Sequence, residues 1–178
     1  MQIIHLKKLF MLALLVGAVG FAGASVARAN NLPQLQNCSL QPPAGNEMFY
    51  RVFAVGVQVY RWNGTSWDFV GPLADLFADP NYQSKVGIHY GGPTWQSVSG
   101  SKVLAARSAE CPGHPSAIPW LLLHRVSAQG PGVFSDVSFI QRVNTVGGLR
   151  PVVPGQAVGA EARVPYKAEY YFFRQIKN

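Results

Sequence analysis

The sequence predicts an all-β fold: a single-domain antiparallel β-sandwich or barrel with at most one short helix. Three observations predict it. From Met48 onward, apolar residues recur mostly at every second position, the spacing of a half-buried strand. Gly, Pro and Asn interrupt the chain often enough to leave segments of strand length between them. Only one short stretch is plausible as a helix.

The elements follow in chain order. His5, Lys7 and Lys8 precede an apolar run from Leu9 to Ala24, and Ala27-Arg28-Ala29 closes it. That pattern predicts a secretory signal peptide over residues 1–29, because the run is shorter than the ~20 residues of a spanning helix. A secreted or periplasmic location follows, with no membrane span after cleavage. Residues 30–47 hold three prolines and no clear periodicity, so they read as an extended arm before a β domain over 48–178.

In "MFYRVFAVGVQVYRW", Phe49, Phe53, Val55, Val57 and Val59 share one parity, which makes the first strand. Asn63-Gly64 then predicts a two-residue hairpin of type I′, with "TSWDFVG" as the returning strand. "PLADLFADPNY" is the one helix candidate, a turn or two ended before Pro80. "SKVGIHY" is a strand ended by Gly91-Gly92-Pro93, and "TWQSV" and "SKVLAAR" flank a second hairpin at Ser99-Gly100. "AIPWLLLHRV" reads as a buried strand and "GVFSDVSFIQRVNTV" as the next, up to a Gly147-Gly148 turn. The last strand is "RVPYKAEYYFFRQI", where Val164, Tyr166, Ala168, Tyr170 and Phe172 alternate against Lys167 and Glu169.

Composition narrows the function classes. The formal charge of +7 includes Lys7, Lys8 and Arg28 of the leader, and the other basic residues are scattered singly. A nucleic-acid reader concentrates such residues on one stripe, so no nucleic-acid partner is expected. Cys38 and Cys111 form an even pair in a chain read as exported, which predicts a disulfide.

Three histidines follow the leader, His89, His114 and His124, without the tight spacing of a local metal site. No metal or cofactor is expected. "GTSWD" breaks the Gly-x-Ser-x-Gly pattern, and no carboxylate can be assigned to orient a His89–Ser99 or His89–Ser101 pair. Aromatic residues are 12% of the chain against 13% charged, and Trp62, Trp67 and Trp95 lie beside turns. Turn-borne aromatics on a rigid scaffold suit a binding module for a carbohydrate or a small amphipathic ligand. The alternatives are a small metal-assisted hydrolase or oxidoreductase centred on His89, and a structural envelope protein.

Ligand-binding candidates are therefore His89, Tyr90, Trp95 and Ser101 around the Gly91-Gly92-Pro93 corner, and Trp67 as a further turn-borne aromatic. His89 is expected to face outward, since burying an imidazole without a partner is costly.

"GVQVYRW", "VGIHYGGPTWQSVSGSKV", "AIPWLLL", "FIQRVNTVGGLRP" and "RVPYKAEYYFF" occur in an order that resembles the domain of unknown function 3455 family, over about residues 46–174. The resemblance implies an exported protein without an assigned activity. Ser99 stands where that pattern usually has Asp, and Trp62 and Val158 stand near positions where relatives often carry cysteines. A dehydrogenase reading does not suit this chain: "GPGVFS" has Ser in place of the third Gly and no helix to follow it.

Overall fold

The computed structural model describes residues 32–177, so the expected leader lies outside the described residues. Eight antiparallel strands follow one another: β1 (Asn46–Trp62), β2 (Trp67–Phe77), β3 (Lys85–Tyr90), β4 (Thr94–Ser97), β5 (Lys102–Cys111), β6 (Trp120–Gln129), β7 (Val137–Gly147) and β8 (Glu161–Gln175). Each pairs with its neighbours in sequence, and β8 pairs back onto β1 to close a barrel. Closure removes the exposed strand edges that an open sheet would leave. No helix among the described residues is long and apolar enough to cross a membrane.

The interior is filled by one parity of each strand. In β8 the inward set is the alternating one expected, with Tyr166, Ala168, Tyr170 and Phe172 all buried in the core. In β1 the inward set is the even one: Val52, Ala54, Gly56 and Gln58 oppose Tyr170, Ala168, Tyr166 and Val164. Small residues here make room for the large rings of β8. Gly56 answers a different neighbour, since a Cβ there would collide with the Leu73 carbonyl oxygen and with Ala74 of β2. The Phe53 and Val59 parity lies on the outer face, where the Arg51 guanidinium covers the Phe53 ring at 4.5 Å.

The expected short helix is absent among the described residues. "PLADLF" continues β2, with Ala74 and Leu76 turned into the core while Leu73 and Asp75 face out. Pairing with β1 and β3 on both sides overrides the local helical spacing. Asp79 then organises the turn to β3, its carboxylate accepting backbone N–H bonds from Asn81, Gln83 and Ser84. Those bonds, led by that from Ser84, hold its pKa below the usual value.

The first hairpin is where the sequence places it, but its apex is shifted by one residue. Asn63 N donates to Ser66 O, so the apex is Gly64-Thr65, with Gly64 alone of the pair at positive φ (102°). Asn63 is instead the flanking cap: its side-chain oxygen accepts from the Thr65 and Ser66 backbone N–H groups. The hairpin around Ser99-Gly100 joins β4 to β5 as expected.

A second apolar layer lies outside the barrel. Leu35 and Leu40 of the arm are buried against Trp120 and Leu122 of β6, Val143 of β7, and Tyr171 and Phe173 of β8. The Cys38–Cys111 disulfide fixes the arm to the end of β5, with Cα atoms 5.7 Å apart. Gln141 Nε2 donates to the Leu40 carbonyl at 2.7 Å, adding a polar anchor beneath the arm.

Up-and-down closure sorts the connections into two ends. Residues 63–66, 91–93, 112–119 and 148–160 are the loops of one end, and 78–84, 98–101 and 130–136 those of the other. At the second end the loop after β6 folds Phe134 into the core, its ring 4.9 Å from that of Phe172. Phe134 is a plug. The barrel therefore has one filled end and one end available for a site.

Candidate functional site

The site begins with a register. β3 and β4 form a hairpin in which His89 lies directly opposite Trp95, so both side chains share a face. That face is the interior. The two rings stack at 4.1 Å with 13° between their planes, and Tyr170 from β8 meets both edge-on at 5.1 and 5.3 Å. On its other side His89 pairs with Ala74, which leaves space for the imidazole.

His89 is only 3% exposed, so the outward orientation expected from the sequence is corrected. The expectation assumed that a buried imidazole would lack a partner. Its Nδ1 lies 2.8 Å from the Thr94 carbonyl oxygen, which can only accept, so Nδ1 carries the proton. Burial is the largest influence on the ring and pushes its pKa down to about 3, against the Thr94 bond and with help from the Arg142 charge. The ring is thus neutral near pH 7, with the Nε2 lone pair unprotonated.

The stack lines a chamber of about 200 Å³, with Phe69, Leu123, Tyr170 and Arg142 contributing other walls. It adjoins a wider cleft of about 430 Å³ towards Gln58, Tyr60, Ile118 and Arg150, and the two share Phe69, Arg107, Leu121 and Arg142. The walls are mostly apolar, yet several polar atoms within the barrel have no protein partner. Gln58 Nε2, Trp95 Nε1 and the Tyr166 and Tyr170 hydroxyls are all buried without a hydrogen bond. Burial raises both phenol pKa values, that of Tyr166 well above its ordinary range, so all four atoms are neutral donors. Buried polar groups normally find partners, and unpaired ones cost about 1–3 kcal/mol each. Such atoms beside a chamber mark places where a bound molecule can bond.

The remaining candidates separate. Tyr90 has the opposite parity and points outside, where its hydroxyl donates to Gln96 Oε1 at 3.1 Å. Ser101 is buried at the plugged end: its Oγ lies 2.9 Å from Ser97 Oγ and accepts the Phe134 backbone N–H. It steadies the plug and does not line the chamber. Trp67 is buried near the open end, its indole donating to the Val153 carbonyl at 2.9 Å and its ring 5.5 Å from that of Trp62. It supports the 148–160 loop. The expected single face of His89, Tyr90, Trp95 and Ser101 is therefore replaced by an internal pair, His89 and Trp95.

Arg142, Tyr170, Phe69 and Gln58 also line the chamber or its outer cleft, and no motif in the sequence singles them out. Alternation gives a weak signal for two of them: Arg142 shares the parity of buried Ile140 in β7, and Tyr170 lies mid-way along the inward set of β8. His114 and His124 bond instead to Ser116 and Ser108 on the surface. Among the described residues, no three His, Cys, Asp or Glu side chains converge on a possible metal position.

Comparisons with known proteins give one match. No curated protein and no solved structure matches the chain. A family model described as "Protein of unknown function (DUF3455)" covers residues 43–174, and the chain belongs to that family.

Proposed function

We propose that this DUF3455 protein is an exported binding protein whose barrel interior holds a small amphipathic ligand. One observation carries the reading: a largely apolar chamber whose walls and surroundings hold buried donors without partners. The volume of about 200 Å³ exceeds the roughly 150 Å³ of an apolar cavity that admits benzene. An aromatic ring or short alkyl body suits the Trp95, Phe69 and Leu123 walls, and one or two acceptor atoms suit Trp95 Nε1 and Tyr170. A free sugar fits less well, because its many hydroxyls would meet apolar surface on most sides. Export is supported by the leader-like first 29 residues and by the disulfide, which persists in oxidising compartments.

Cinnamyl alcohol, a ring with a three-carbon arm and one hydroxyl, is a suitable neutral probe. Calorimetric titration is expected to give saturable one-to-one binding. Leu123→Phe, which narrows the chamber without adding polarity, should weaken it by at least about tenfold, equivalent to roughly 1.4 kcal/mol. A wild-type protein that takes up no probe, or a Leu123→Phe variant that binds as well, contradicts the reading.

A further inference from the structure

We infer that the ligand carries a carboxylate, and that Arg142 receives it where the chamber meets the outer cleft. The inference rests on the chamber being a binding site and adds the charge class of its occupant. Arg142 projects inward from β7, opposite Leu121 of β6 and Tyr170 of β8. Its Nε and Nη2 both donate to the Pro119 carbonyl, at 3.2 and 2.8 Å, which fixes the guanidinium plane. The Tyr170 hydroxyl lies close to the guanidinium, and no carboxylate is ion-paired with Arg142 among the described residues. A half-buried arginine without a counter-ion is an incomplete arrangement, because a desolvated charge is costly until an opposite one approaches.

The surroundings share that bias. Glu110 is the one acidic residue lining the outer cleft, and it is held by Arg107 Nη1. Arg150, on the same cleft, has no ion pair among the described residues. His89 adds an uncharged ring. Arg142 faces the Tyr170 hydroxyl, which in turn lies close to that of Tyr166, and neither phenol makes a well-formed hydrogen bond. A planar carboxylate matches this set: one oxygen for the guanidinium and one for a phenol. The apolar body attached to it then points down the chamber towards Trp95.

Cinnamate and cinnamyl alcohol share one skeleton and differ at the head, so their ratio of affinities isolates the charge. At neutral pH and low salt, the wild-type protein is expected to bind cinnamate at least roughly tenfold more tightly, a preference that shrinks as salt is raised. Arg142→Gln should bring the ratio close to one, and Arg142→Lys, which keeps the charge but loses the planar fork, should leave an intermediate ratio. Should the glutamine variant fail to fold, the wild-type ratio, its salt dependence and the lysine variant decide the matter. Equal or tighter binding of the alcohol by the wild-type protein overturns the carboxylate while leaving the chamber intact. So does a preference for cinnamate that Arg142→Gln leaves unchanged. Binding of neither compound overturns the chamber reading and the carboxylate with it.

Discussion

Lowering the pH from 7 to 5 is expected to cost the fold about 2 kcal/mol through one side chain, His89. In the folded state burial holds its pKa at about 3, whereas the unfolded chain has the ordinary value of 6.5. Below pH 6.5 the unfolded state therefore takes up a proton that the folded state refuses. The His89 contribution is whole above 6.5 and is lost progressively as the pH falls towards 3, by roughly 1.4 kcal/mol for each unit of pH. The Thr94 carbonyl gives the ring partial relief, and its other neighbours give none. Trp95 and Tyr170 are apolar faces with neutral donors, Ala74 is a methyl group, and Arg142 repels a second positive charge. Urea denaturation at the two pH values measures the loss. His89→Gln, which can still donate to Thr94 O but cannot titrate, should remove most of it. Equal pH dependence in wild type and variant would contradict the placement of this ring in a dry interior.

Replacing Cys38 and Cys111 together by serine should destabilise the protein by about 4 kcal/mol in the loop-closure model. The bridge spans 73 residues, and this loop includes β1 to β4 and nearly all of β5. The loss has a local signature as well. Leu35 and Leu40 cover Trp120, Leu122, Tyr171 and Phe173 on the barrel exterior, and the Leu40 carbonyl receives Gln141. An untethered arm should open more readily than the barrel, so limited proteolysis ought to cut within residues 32–45 before any strand. A loss under about 1 kcal/mol, with the arm as resistant as before, would show that its apolar contacts alone hold it.

The fold was legible where a rule is local. Asn63-Gly64 marks a hairpin because few residues tolerate its backbone, and the alternation of Tyr166, Ala168, Tyr170 and Phe172 names the inward face of β8 directly. "PLADLF" misled because Leu73, Leu76 and Phe77 have helical spacing, while the deciding partners lie in β1 and β3. The His89–Trp95 pairing is implied by a short Gly-Gly-Pro corner, which sets the two residues opposite each other. Which way the pair faces depends on Ala74 and Tyr170, contributed by β2 and β8. Arg142 joins the site only because β8 closes on β1 and carries the β7 register to that end. No local pattern encodes that closure, and for the same reason Ser101 could not be told from a chamber residue.

The most direct test of the chamber is the indole N–H resonance of Trp95 during titration with cinnamyl alcohol. Trp95 Nε1 is buried without a partner in the barrel interior, while Trp120 lies on the outer face beneath the arm. With resonances assigned through Trp95→Phe and Trp120→Phe, the account predicts that the Trp95 signal moves saturably with added ligand and the Trp120 signal stays in place. A Trp95 signal that remains fixed while the ligand binds would put the occupied site elsewhere and contradict the account.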